Sequence, residues 1–91
     1  MARKVTIVGR GLVGRAWAIT FARAGWDVAF TGRKDASADA AWEAIDANLQ
    51  DLEELGQIDS AADVRGRIQG VAELADAIDG ADMAIECVPE N

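Results

Sequence analysis

The chain has no histidine, one cysteine and one proline in 91 residues. Without histidine it lacks the commonest general base and a common metal ligand, so no catalytic residue and no metal site is expected within it. Cys87 alone cannot close an internal disulfide, which fits a reducing, cytoplasmic setting. Its place in an apolar run predicts a buried, inert thiol rather than a nucleophile. No apolar run is long enough to span a membrane, and the start of the chain lacks a signal-peptide pattern. There are no internal repeats and no low-complexity linker. Basic residues are outnumbered, 9 against 16 acids, and the net charge of −7 argues against non-specific nucleic-acid binding.

What is present is apolar and unevenly charged. Hydrophobic residues make up 51% of the chain, enough for one small domain or part of one. Such a domain is marginal, because its surface is large for its volume. The first 34 residues hold Arg3, Lys4, Arg10, Arg15, Arg23, Arg33 and Lys34 against a single acid, Asp27. The rest holds only Arg65 and Arg67 against all the other acids. One reading is attraction of an anionic ligand to the basic part; the other is solvated surface charge.

The most telling stretch is Val5 to Gly14, V-T-I-V-G-R-G-L-V-G. A short apolar strand runs into Gly9-x-Gly11-x-x-Gly14, and an apolar helix follows. That is the dinucleotide fingerprint in its strand-to-helix context. Gly9 permits the tight turn. Gly11 lets backbone approach a pyrophosphate. Gly14 lets helix and strand pack closely. The free N–H groups at the helix start favour the diphosphate charge. Ala18, one turn on, keeps the same face small. A bare glycine-rich turn with no ligand is the plain alternative.

The spacing predicts a strand over Lys4–Val8, a helix from Leu12 to Ala24 and a second strand over Asp27–Thr31. Trp17 and Phe21 form an i, i+4 pair in that helix, and core packing is expected for Trp17. Asp35 or Ser37 should cap a second helix reaching Leu55, with Ala38, Trp42, Ile45, Leu49 and Leu52 at helical spacing and Glu43, Asp46, Glu53 and Glu54 on a solvated face. Ser60-x-x-Asp63 suggests a cap for a short helix ending near Gly66. A third strand over Arg67–Val71, a brief helix over Glu73–Asp79 and a fourth strand over Met83–Val88, stopped by Pro89, complete the order. The fold class is α/β. A Rossmann-type parallel sheet in the order 3-2-1-4 with flanking helices is expected, truncated after the fourth strand. A ligand would sit between strands one and four, where Gly9–Gly14, Thr31–Lys34 and Val88–Asn91 converge.

NAD-binding chains usually end strand two in an acid that grips the ribose 2′-hydroxyl. Here that position is Gly32, followed by Arg33 and Lys34. Arg33 suits a 2′-phosphate bidentately, and Arg10 adds positive field, so NADP is expected to bind at least as well as NAD. The alternative is a solvated turn, with NAD held by backbone.

The opening V-T-I-V-G-R-G-L-V-G-R-A-W-A and the run Glu86-Cys87-Val88-Pro89-Glu90-Asn91 resemble the N-terminal domain of the 3-hydroxyacyl-CoA dehydrogenases. Within them the chain is most similar to the lambda-crystallin / L-gulonate 3-dehydrogenase branch, on Gly14-Arg15-x-Trp17-Ala18 and E-C-V-P-E-N. The resemblance implies nicotinamide-dependent oxidation of a secondary 3-hydroxyl to a ketone, as in fatty-acid metabolism. It implies that Leu12 and Val13 offer backbone N–H groups to the diphosphate and that Glu90 approaches the nicotinamide half. It implies NAD, against the departure at Gly32. The family's catalytic His–Glu pair and helical dimerisation domain have no counterpart here. Residues 1–91 are therefore expected to be a partial dinucleotide-binding domain. It would be the N-terminal part of a longer, homodimeric protein with a small-molecule substrate, inactive alone. Two other readings stay open: a 3-hydroxyisobutyrate or 6-phosphogluconate type of oxidoreductase, and a non-catalytic nucleotide-sensing or crystallin-like structural module.

Overall fold

A computed structural model describes residues 3–9, 12–31, 38–71 and 74–87. These residues hold four strands and four helices in the order β1 (Lys4–Val8), α1 (Leu12–Arg23), β2 (Asp27–Thr31), α2 (Ala38–Glu54), α3 (Ala61–Gly66), β3 (Ile68–Gly70), α4 (Leu74–Ile78) and β4 (Met83–Glu86). The strands form one sheet in the order β3-β2-β1-β4, and every pair is parallel. This is the topology expected from the order of elements and from right-handed crossovers.

β1 is central and buried from Val5 to Ile7. Its two faces are covered by different helices. The Thr6 hydroxyl donates to the Ala77 carbonyl of α4, so α4 lies on the face of Thr6 and Val8. Val5 and Ile7 point the other way, into the core shared with α1 and α2. α1 meets the sheet through Gly14, Ala18 and Ala22, all buried and all small, which lets backbones approach. α2 buries Ala41, Ile45 and Leu49 at four-residue spacing, the stripe expected of an amphipathic helix.

The flank beyond β2 is closed by side chains. Trp42 stands edge-on to Phe30, 5.6 Å between centroids, and carries the Arg65 guanidinium 4.0 Å above its ring. Arg65 also pairs with Asp46 at 2.9 Å and donates to the Ile68 carbonyl at 3.1 Å. One cation thus joins α2, α3 and the start of β3. Ser60 caps α3, its hydroxyl accepting from the Asp63 N–H at 3.2 Å. On the exposed side of α2, Glu53 accepts the Ala61 N–H at 2.8 Å.

Several boundaries differ from the sequence reading. β3 is three residues long, because Arg67 is spent capping: its N–H serves the end of α3, and its guanidinium donates to the Ala22 carbonyl at 2.9 Å. α1 and α2 end one residue early, at Arg23 and Glu54. α4, described over Leu74–Ile78, ends one residue before the expected Asp79, and its expected start at Glu73 lies outside the described residues. β4 ends at Glu86, before Cys87, short of the expected Val88. The caps proposed for α2, Asp35 and Ser37, lie outside the described residues, as does Val88. Trp17 is a correction. It packs on Phe21, 5.8 Å between centroids, yet remains 42% exposed. α1 buries one face on the sheet and a flank on α2 and α3, and among the described residues nothing covers the flank that carries Trp17.

Candidate functional site

The carboxyl ends of the strands meet at the glycine turn. The Gly9 N–H donates to Thr31 O of β2 at 2.8 Å, and the Cys87 N–H donates to Val8 O at 2.8 Å. The residue leaving β1 is thus clamped between its neighbours, at the point where strand order reverses. Gly9 has φ +124°, a conformation that side chains rarely adopt. A β-carbon there would also stand 3.2 Å from the Cys87 carbonyl carbon and closer still to its oxygen. Gly14 is as constrained. A β-carbon on it would lie 2.8 Å from the Gly9 carbonyl carbon, with the oxygen nearer. The two glycines therefore touch, and the start of α1 is pressed onto the end of β1.

This packing places the first turn of α1 at the open end of the crevice. The turn contains no acid to satisfy its N–H groups or offset its dipole. The first N–H groups of a helix have no partner within the helix, and with its positive dipole end they suit an anion. Val13, in that turn, is 59% exposed. Leu12 opens the helix, and its side chain lies outside the described residues, as do Gly11, Arg33 and Glu90 entirely. Arg10, Gly32 and Lys34, on which the phosphate argument draws, lie outside them too. Of the residues the sequence nominates, Gly9, Leu12, Val13 and Gly14 are brought together in one turn.

Cys87 closes the crevice on the β4 side. It is half-buried, and burial pushes its thiol above the ordinary range, which keeps it protonated near neutral pH. The inert thiol expected from the sequence agrees with this. Among the described residues no group of acids and cysteine could hold a metal ion. Among the described residues no helix is long and apolar enough to cross a membrane. Two shallow grooves lie elsewhere, one between α2 and α3 by Asp46 and Arg65, the other by Arg23 and Arg67. Arg23 and Arg67 sit at the amino ends of β2 and β3, away from the glycine turn.

Two contributors escape sequence reasoning. Thr6 fixes α4 under the sheet through its buried hydroxyl, and the only local signal is a polar residue amid apolar ones. Cys87 matters through its carbonyl, which no residue-type pattern reveals.

Residues 4–91 match the family described as 3-hydroxyacyl-CoA dehydrogenase, NAD binding domain. The chain is 36% identical over 90 residues to a lambda-crystallin homolog of Rattus norvegicus, covering 96% of this chain and 28% of the relative. It is 37% identical over 93 residues to lambda-crystallin of Oryctolagus cuniculus, covering 99% and 29%. It superposes on the crystal structure of (S)-3-hydroxybutyryl-CoA dehydrogenase from Ralstonia eutropha with TM-score 0.86 and 27% identity, covering 100% of this chain and 32% of that one. The chain thus spans less than a third of the length of these relatives. On the strength of the family match over nearly its whole length, the chain belongs to the NAD-binding domain family of the 3-hydroxyacyl-CoA dehydrogenases.

Proposed function

We propose that this chain is the N-terminal, dinucleotide-binding part of a longer oxidoreductase that oxidises a secondary 3-hydroxyl, on a 3-hydroxyacyl-CoA or a 3-hydroxy acid, to a ketone. The observation that carries the reading is the contact of Gly14 with the Gly9 carbonyl at the switch point of the sheet. It presses the start of α1 onto the end of β1, and in sheets of this order a diphosphate crosses between strand ends there, which supports the reading. In this reading the backbone around Gly11, Leu12, Val13 and Gly14 holds the diphosphate. Arg33, with Lys34 beside it, reaches the adenosine ribose, and Glu90 approaches the nicotinamide. A bound nicotinamide supplies the hydride acceptor, and the chain's own residues bind and orient it.

The absence of an acid at Gly32, with two cations following, favours NADP at least as much as NAD. The family supports NAD as the baseline. The protein would work in the cytoplasm as a homodimer, on a small-molecule substrate, with no role for nucleic acid or membrane. Calorimetric titration of the chain with NADH and NADPH tests the cofactor assignment. Binding of both, with NADPH at least equal, is expected. A tenfold preference for NADH would end the NADP reading, and no binding of either would end the dinucleotide reading. The same preparation is expected to turn over no 3-hydroxy substrate; any measurable oxidation would contradict the assignment of catalysis elsewhere.

A further inference from the structure

The register of the sheet sets three side chains in a row across the crevice. Val8, the last residue of β1, is paired with Thr31 on one side and Glu86 on the other. In-register neighbours on parallel strands point to the same face, here the face of Thr6 and α4 rather than that of α1. Thr31 is buried, Val8 is half-buried and Glu86 is exposed. The row is therefore one half-buried valine set between a buried threonine and an exposed carboxylate. Thr31 and Glu86 are two strands apart, about 10 Å between Cα atoms, with Val8 between them.

The proposed dinucleotide site gives that row a natural occupant. With the diphosphate at the start of α1 and the adenosine ribose at the end of β2, the base lies across the ends of β2 and β1. Its flat face rests on Val8, and its edge meets the side chain next along the row. Adenine carries a 6-amino donor; a carboxylate is an acceptor only. Hypoxanthine carries an acceptor oxygen at the same position, which a carboxylate cannot bond; its one donor on that edge is the neighbouring N1–H, which points elsewhere. We propose that Glu86 is a specificity-determining residue that selects adenine by accepting a hydrogen bond from its 6-amino group.

This inference rests on the dinucleotide reading, and the test separates the two. The chain and its Glu86→Gln variant are titrated with NADH and with reduced nicotinamide hypoxanthine dinucleotide, followed by calorimetry and by tryptophan fluorescence. The wild-type chain is expected to prefer NADH by roughly tenfold, the scale of one hydrogen bond to a charged group. In Glu86→Gln the preference should fall to near one, because an amide accepts from the amine and donates to the oxygen. Glu86 is exposed, so circular dichroism of the variant should match wild type. If NADH binds without preference over the hypoxanthine analogue, or the preference survives Glu86→Gln, the role of Glu86 is overturned while the site stands. If NADH does not bind the wild-type chain, the site itself falls and this proposal with it.

Discussion

The two flanks of the central strand are built differently. On the β2–β3 side, α1, α2 and α3 close over the sheet, and Phe30, Ile45 and Leu49 are almost fully buried. On the β4 side, Met83 is 45% exposed, Ala84 and Glu86 are exposed, and only Ile85 is partly covered. Val13 and Trp17 of α1 are open as well. The described residues therefore hold one finished half and one unfinished half. The β2–β3 half holds most of the buried side chains, and the glycine turn lies on the boundary between them. Among the described residues the glycine turn thus has a packed wall on one side and an exposed strand on the other.

The largest effect is expected at the boundary itself. Gly14→Ala drives a methyl into the Gly9 carbonyl, a backbone atom that cannot swing aside. The loss should be about 3 kcal/mol or more, read by urea denaturation, and dinucleotide binding should vanish with it. Gly25→Ala, at φ +95° with nothing near its β-carbon, is the control and should cost only about 1 kcal/mol. Equal losses at the two positions would contradict the close approach.

Trp42→Ala tests the closed half. It removes the ring shared by Phe30 and Arg65 and should cost about 3 kcal/mol by the same measurement. Thr6→Val comes next. It keeps shape but leaves the Ala77 carbonyl without its donor, for about 1–2 kcal/mol. A neutral Thr6→Val would mean that α4 is held by other contacts. The smallest effect on stability is expected on the open half. Met83→Lys should change stability by less than about 0.5 kcal/mol, since the side chain is already in water. It should nonetheless reduce self-association of the chain in sedimentation, because charge on an open edge blocks strand pairing. A wild-type chain that stays monomeric and melts above about 60 °C would remove the contrast between the halves.

Much of the closed half is legible in the sequence. β1 and β2 have the predicted limits, since apolar residues are bounded there by glycine and charge. The 3-2-1-4 order follows from the alternation of elements. What is not legible depends on distant partners. The Arg65–Trp42 contact joins residues of different helices, and the Thr6–Ala77 bond spans most of the chain. Trp17 shows the converse error. Apolar character in a helix signals that a face can be buried, not that a partner is present to bury it. At the site, the glycine spacing is readable, but the reason Gly9 must be glycine is only half local. Its φ belongs to the turn, whereas the Cys87 carbonyl comes from the far end of the chain.

Amide hydrogen exchange with and without NADH probes the central claim most directly. Slowed exchange confined to the start of α1 and to the carboxyl ends of β1, β2 and β4 is the outcome expected of backbone donors holding a diphosphate at the glycine turn. Protection centred on the α2–α3 groove, or none anywhere at saturating NADH, would contradict it.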